Sequence, residues 1–347
     1  MKPLFFAMCV LCLMGCAAPT PIPPIAQQYP ATWTPAPAPT NTPPAPTATR
    51  VVQNSPAPLP TPDPNVRTLP TNPRDTIGVW MNVSDSKTLN LKQLASGAQV
   101  LVSDHANTNL RQPNQFFLLQ TASLADGDNL ANGVSGIILA ENAANNPAAS
   151  NFRESIKPRP VLASVAITDT NKLETLSQKF DGLLLDNFIR TPQLGAMKFP
   201  SENAWRQNID TLARLSSNPN TVLLTKTYFP PSAANTPTDF QPFTQYAVTS
   251  FLLGVNNTHT FFGAEDASAQ QYISAALPLE PLGNALGSYF RTNGVYQRRF
   301  TNGLVLVNPG DKTRAFFLPR PYRDAGGVEI NQVELPPHSG QILYAIK

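Results

Sequence analysis

Cysteine is nearly missing. The chain of 347 residues has three, Cys9, Cys12 and Cys16, so nothing beyond position 16 can form a disulfide, act as a thiol nucleophile or hold a metal through sulfur. Histidine is as scarce. His105, His259 and His338 lie too far apart for the spacing of a helical metal site. Charge is thin: 14% of residues carry it, against about 25% in ordinary soluble proteins. The 25 basic residues nearly cancel the 22 acidic ones. No basic stripe stands out, which excludes nucleic acid as a partner, because neutralising phosphate needs clustered Lys and Arg. There is no G-x-S-x-G elbow, no G-x-G-x-x-G and no Walker loop, and no metal or organic cofactor is expected.

Proline is abundant instead, and unevenly placed. Of 37 prolines, 18 lie between Pro19 and Pro73. Residues 17–75 are Pro, Thr and Ala with scattered Asn and Ser, a composition that buries too little apolar surface to offset its ordering entropy. Proline keeps such a stretch extended, so it reads as a semi-rigid stalk. Residues 1–16 carry Lys2 and then an apolar run from Leu4 to Met14. That is too short to span a bilayer, which takes about 20 residues, but it has the length of a signal-peptide core. Its close, Leu13-Met14-Gly15-Cys16, resembles the bacterial lipobox, in which the cysteine thiol receives a diacylglycerol. The resemblance implies lipidation at Cys16 and an outward-facing, membrane-anchored protein.

From Thr76 the pattern changes. Short apolar runs recur at 77–82, 98–104, 115–119, 134–140, 160–167, 180–186, 221–226 and 258–262. Several are continuous rather than alternating, as in parallel strands buried on both faces. Helical spacing lies between them, as in Leu173, Leu176 and Phe180, and in Trp205, Ile209, Leu212 and Leu215 behind a Ser201-Glu202 cap. Phe243–Leu253 and Ala267–Leu286 read as the last helices. Eight strands alternating with helices over 76–288 predict a (β/α)₈ barrel of the TIM type. Beyond 289, β-rich runs are broken by Asn-Pro-Gly-Asp, Ala-Gly-Gly and Pro-Pro-His-Ser-Gly, which predicts a small antiparallel β-sandwich domain over 289–347.

Three segments carry a resemblance. Phe180-Asp-Gly-Leu-Leu-Leu-Asp-Asn-Phe188 looks like a strand of glycoside-hydrolase-like bacterial barrels whose terminal Asp faces the active-site mouth. Tyr296 to Pro309 resembles the start of the β-domain that follows such barrels, and Leu335 to Leu343 its closing strand. The resemblance, to glycosyl hydrolase-like families of bacterial surface lipoproteins, covers roughly residues 76–347. It implies a glycan or carbohydrate polymer as partner and paired carboxylates as the machinery.

Such hydrolysis uses two carboxyl groups flanking the scissile bond, placed at the C-terminal ends of barrel strands. Asp186, held after three leucines, is the leading candidate, with Glu141 or Asp239 as its catalytic partner. Asp104, His105, Asn187, Tyr228 and Trp80 are candidate substrate-binding groups, the two aromatics as stacking faces; core packing is the alternative for Trp80. Asp85 and Asp169 read as helix caps. One departure weighs against hydrolysis: the seventh strand ends Leu224-Thr-Lys-Thr-Tyr-Phe229 with no carboxylate. Lys226 there is a candidate to neutralise one nearby. Glu265 and Asp266 read as the N-terminal charges of the following helix. The competing reading is a non-catalytic glycan-binding or wall-associated lipoprotein on a degenerate hydrolase barrel. A solute-binding lipoprotein fits less well, since a two-lobed binder would not end in a β-domain. A monomer is expected.

Overall fold

The computed structural model describes residues 67–72, 77–84, 95–105, 108–125, 133–191, 199–229, 237–265 and 269–346, with backbone alone at 237–239. Eight parallel strands close a barrel in chain order: β1 (Gly78–Asn82), β2 (Val100–Ser103), β3 (Phe116–Thr121), β4 (Gly136–Leu139), β5 (Val161–Ala166), β6 (Gly182–Asp186), β7 (Val222–Thr227) and β8 (Thr260–Ala264). β8 pairs back to β1, Phe261 opposite Gly78. The described helices outside the barrel are α1 (Glu141–Ala144), α2 (Ala149–Ser155), α3 (Thr170–Lys179), α4 (Glu202–Leu215), α5 (Pro237–Gly254) and α6 (Gln270–Ala276).

Strand alternation divides the leucine-rich runs between two cores. Leu118, Ile138, Leu162, Leu184, Leu224 and Phe261 point inward and fill the barrel with Trp80, Val100, Val102 and Val222. Their neighbours Phe117, Ile137, Leu183, Leu223 and Phe262 point outward onto the helices. This accounts for the continuous apolar character, since both faces of each strand are covered. Trp80 lies across the interior with its indole N–H donated to the Thr225 carbonyl at 2.8 Å. It fits because β8 offers Gly263, where a Cβ would stand 2.6 Å from the Trp80 carbonyl oxygen and from the indole ring.

The chain then enters a six-stranded antiparallel sheet of order β13-β12-β14-β11-β10-β9. Its strands are β9 (Phe290–Thr292), β10 (Val295–Phe300), β11 (Gly303–Asn308), β12 (Arg314–Arg323), β13 (Glu329–Leu335) and β14 (Ser339–Ala345). The barrel and the sheet fall in one compact unit. α5 is the shared wall. β14 lies so close to it that a Cβ on Gly340 would meet the Thr249 hydroxyl at 1.9 Å. β10 sends the buried Arg298 into the C-terminus of α5, where its guanidinium donates to the carbonyls of Leu252, Leu253 and Val255 and to Asn256 Oδ1. Those carbonyls have no partner within the helix, and the cation suits the negative end of its dipole.

One expectation from the sequence is corrected. The last barrel helix is not Ala267–Leu286: among the described residues it runs only from Gln270 to Ala276, because Pro278, Pro281, Gly283 and Gly287 cannot continue it. β12 runs through Pro319 and Pro321, with an irregularity between Phe317 and Tyr322 where the prolines leave the ladder. The short edge strand β9 carried no periodic signal.

Candidate active site at the barrel mouth

The inward alternation that fills the barrel continues past its apolar layers. Two residues beyond Leu184 it reaches Asp186, two beyond Leu224 it reaches Lys226, and four beyond Phe261 it reaches Glu265. The three meet. Lys226 Nζ stands 2.7 Å from Asp186 Oδ1 and 2.8 Å from Glu265 Oε2. Laid end to end, those contacts set an upper limit of about 5.5 Å on the distance between the two carboxylate oxygens, which admits the separation of about 5–5.5 Å between the carboxyl groups of retaining glycosidases. Ser164, inward-facing on β5, donates its hydroxyl to Asp186 Oδ2 at 3.0 Å. The Glu265 backbone N–H is tied to the Thr227 carbonyl at 3.2 Å, which keeps the residue beside β7.

Burial grades across the group. The Lys226 side chain is 8% exposed, that of Asp186 22% and that of Glu265 45%. Burial by itself would lower the Lys226 ammonium, but Asp186 and then Glu265 outweigh it, and the net displacement is upward. Lys226 is therefore a fixed cation. Its Nζ also sits 5.3 Å from the centre of the Tyr228 ring. Burial raises the Tyr228 phenol, with Lys226 pulling the other way, so Tyr228 is a neutral hydroxyl at the rim.

Glu141 and Asp186 belong to separate ion pairs. Glu141 opens α1 at the end of β4, half-exposed, and pairs with Lys172, which also holds Asp169 at 3.1 Å. Asp169 caps α3 by accepting the Lys172 backbone N–H at 3.3 Å. Asp239 lies in the first turn of α5, its side chain outside the described residues, as are Asp85, Asp266 and Cys16. Asp104 and His105 are exposed and lie 3.5 Å apart in a loose surface pair. Asn187 follows Asp186 with φ of 65°, and its carbonyl accepts from Asn208 at 3.5 Å. Trp80 has no face left for a sugar. It is 1% exposed, packed as the interior plug of the barrel, and its stacking role is withdrawn on that ground.

The residue that the sequence reading placed elsewhere is Glu265. As a charge behind a strand and ahead of a helix it resembles an ordinary helix-start acid. The signal that finds it is the count of two from Phe261 and Gly263. Among the described residues no three His, Cys, Asp or Glu converge in a way that would hold a metal ion.

A cleft of about 740 Å³ lies at the opposite end of the barrel, under the starts of β1 and β8 and against Arg298 and Phe300 of β10. Its polar groups are engaged within the protein: Arg298 in the α5 carbonyls, Asn257 with Asn218 and His259, and Asn256 with Ala213 and Arg298. The mouth gathers two carboxylates and an ammonium, whereas the cleft is lined by Arg298 and His259 and, among the described residues, by no carboxylate. Barrel enzymes also place their chemistry at the C-terminal ends of the strands.

No protein-family model matches the chain, and no curated protein matches it. Solved structures do. A proposed α-galactosidase from Bacteroides fragilis aligns at 9% identity over 78% of this chain and 80% of its own, with a TM-score of 0.45. The cyclic α-maltosyl-(1→6)-maltose hydrolase of Arthrobacter globiformis aligns at 8% over 78% of this chain and 99% of its own, TM-score 0.39. A GH18 chitinase from Pseudoalteromonas aurantia aligns at 12% over 57% of this chain and 98% of its own, TM-score 0.37. The architecture stands on its own strand pairings, and the functional reading on the mouth.

Proposed function

We propose that the chain is a glycoside-hydrolase-like protein acting on a glycan or polysaccharide at the barrel mouth, with Asp186 and Glu265 as the paired carboxylates. Glu265 takes the place that the sequence reading gave to Glu141 or Asp239. The observation that carries the proposal is the Asp186–Lys226–Glu265 bridge, which holds two inward-facing carboxylates at the strand ends of a closed barrel. At that spacing Asp186 attacks the anomeric carbon while Glu265 protonates the departing oxygen; water then releases the glycosyl group with Glu265 as base. Tyr228, Asn187, Asp104 and His105 are proposed to meet the sugar around them. Cys16 and the Pro/Thr stalk are proposed to present the barrel outward from a lipid anchor.

The test is hydrolysis of a panel of oligosaccharides and alkyl glycosides by the wild type, Asp186→Asn and Glu265→Gln. A fall of about 10²–10⁴-fold in each variant is expected; equal rates in all three would remove the pair from the chemistry. One observation favours a second reading. Lys226 touches both carboxylates, and an ammonium there favours two anions where hydrolysis needs one group to deliver a proton. A protein that binds glycans without cleaving them accounts for that, and binding of the same panel with no product from the wild type would establish it.

A further inference from the structure

We infer that the end of the barrel opposite the mouth carries a second site, which binds the phosphoryl group of a phosphate monoester between Arg111 and Arg159. The inference does not depend on the chemistry at the mouth.

The site arises from a surplus of cations in one corner of the molecule. Arg67 from the segment ahead of β1, Arg153 of α2, and Lys157 and Arg159 of the turn into β5 gather around two acids, Asp181 and Glu154. Three of these cations are taken up by the acids. Asp181 holds Arg67 at 3.1 Å and Arg153 at 2.6 Å. Glu154 holds Lys157 at 2.6 Å, with Arg67 and Arg153 farther off at 3.6 and 3.7 Å. Arg67 is tied to the same turn by donating to the Arg159 carbonyl. Arg159 itself is left over: among the described residues its guanidinium makes no hydrogen bond and no ion pair. Arg111, ahead of β3, is left over too. It donates Nε to the Gln115 carbonyl and Nη1 to the Gly133 carbonyl, both at 2.7 Å. Nη2 stays unused, and among the described residues no acid pairs with the group.

The two surplus arginines line one pocket. It holds about 330 Å³ beneath the starts of β3, β4 and β5, and among the described residues no carboxylate lines it. Phe116, packed against the barrel interior, gives it an apolar wall. Thr68, Ser135 and Asn114 add neutral polar groups. Ser135 Oγ accepts the Phe117 backbone N–H at 3.1 Å, so its own proton is available to a ligand. Guanidinium forks suit phosphate because each places two parallel N–H groups on neighbouring oxygens. Charge then selects the ester. A phosphate monoester carries about −1.5 to −2 near neutral pH, which matches two guanidinia. A phosphodiester or a carboxylate carries a single charge and leaves one guanidinium uncompensated. The volume is larger than a phosphate ion needs and falls at the lower end of small-ligand pockets, about 300 Å³. It therefore admits the group that bears the phosphate. Thr68 neighbours Arg67 in the chain, so a bound phosphate also ties the segment ahead of β1 to the turns before β3 and β5.

The test is titration calorimetry of the full-length chain at about pH 8, where a monoester is close to a dianion, and at constant ionic strength. The probes are inorganic phosphate, glucose 6-phosphate and dimethyl phosphate. The first two are expected to bind once per chain, and the diester about ten-fold more weakly or worse. Tighter binding of glucose 6-phosphate than of inorganic phosphate places the sugar in the pocket. Equal affinity shows that the phosphoryl group alone is recognised, and either result upholds the site. Arg159→Gln is the decisive variant, because its side chain supports nothing else among the described residues. It is expected to melt as the wild type does without ligand, yet to bind both phosphates about ten-fold more weakly or worse. Arg111→Gln gives a second reading of the same loss. Arg320→Gln removes an equal charge from β12, where Arg320 lies over the Tyr322 ring, and is expected to bind as the wild type does. The inference is overturned by absence of saturable binding in the wild type, by equal affinity for the diester, or by affinity unchanged in both pocket variants. A loss in Arg320→Gln as large as that in Arg159→Gln also overturns it, since net charge alone would then account for the binding.

Discussion

Replacing Arg298 by methionine tests how the β-domain is fastened to the barrel. Arg298 is 3% exposed and has no acidic partner among the described residues. It makes five hydrogen bonds, to the carbonyls of Gly287, Leu252, Leu253 and Val255 at 2.7–3.0 Å and to Asn256 Oδ1 at 2.5 Å. At about 1.5 kcal/mol for each bond from a charged donor, the set contributes about 7.5 kcal/mol. Burial works against it. Desolvation drags the guanidinium from its ordinary 12.5 down to about 10, which at about 1.4 kcal/mol per unit costs on the order of 3–4 kcal/mol. The difference, about 4 kcal/mol, is what Arg298→Met should lose, since methionine keeps the apolar stem and removes only the donors. For a folded body of this size that lowers the melting temperature on the order of 10 °C. Urea unfolding followed by tryptophan fluorescence measures it, with Arg298→Lys expected to recover part. A loss below about 1 kcal/mol would show that water entering the adjoining cleft satisfies the α5 carbonyls as well as the guanidinium does, and would refute the reasoning.

Gly263→Ala places a methyl 2.6 Å from the Trp80 carbonyl and indole; a loss of about 2 kcal/mol with a shifted tryptophan emission is expected, from overpacking that the barrel interior cannot relieve. Arg67→Ala removes a guanidinium that is paired with the buried Asp181 at 3.1 Å and donates to the carbonyls of Arg153 and Arg159. Arg153 stays on Asp181 at 2.6 Å, so about 2 kcal/mol should be lost, and the cost should fall in an Asp181→Asn background measured as a double-mutant cycle. Tyr296 is raised to about 12, by burial first and then by its hydrogen bond to Glu202. A phenol raised in the folded state contributes stability that is complete below the ordinary value of about 10 and is lost as pH climbs from there to 12. The urea midpoint should fall over that window, and fall less steeply in Tyr296→Phe.

The barrel was legible because its signal is local. Each strand is a short apolar run such as Gly-Leu-Leu-Leu-Asp at 182–186, and strand follows helix at a regular spacing. Asp169 and Ser201 were legible as helix caps for the same reason: a cap acts within three residues of itself, and the bonds Asp169–Lys172 and Ser201–Ala204 are of that kind. The helix after β8 was drawn too long because the alanine and leucine spacing of 267–286 outweighed its prolines and glycines. Trp80 was left between two roles, since an aromatic at the start of a barrel reads alike whether it plugs the interior or faces a ligand.

Partnership was the part that local signals did not carry. Lys226 is 40 residues from Asp186 and 39 from Glu265 along the chain, and the sequence offered Glu141 or Asp239 as the partner of Asp186 instead. By itself the sequence determined where the strands lie and end, and that Asp186 stands at a strand terminus. Only closure of the barrel decided that β8 returns beside β1 and β7, which carries Glu265 to Lys226, while α3 brings Lys172 to Glu141 and holds it in another pair. The physical reason is range: a strand's own pattern acts over two to four residues, whereas an ion pair forms wherever the completed sheet sets two side chains about 3 Å apart.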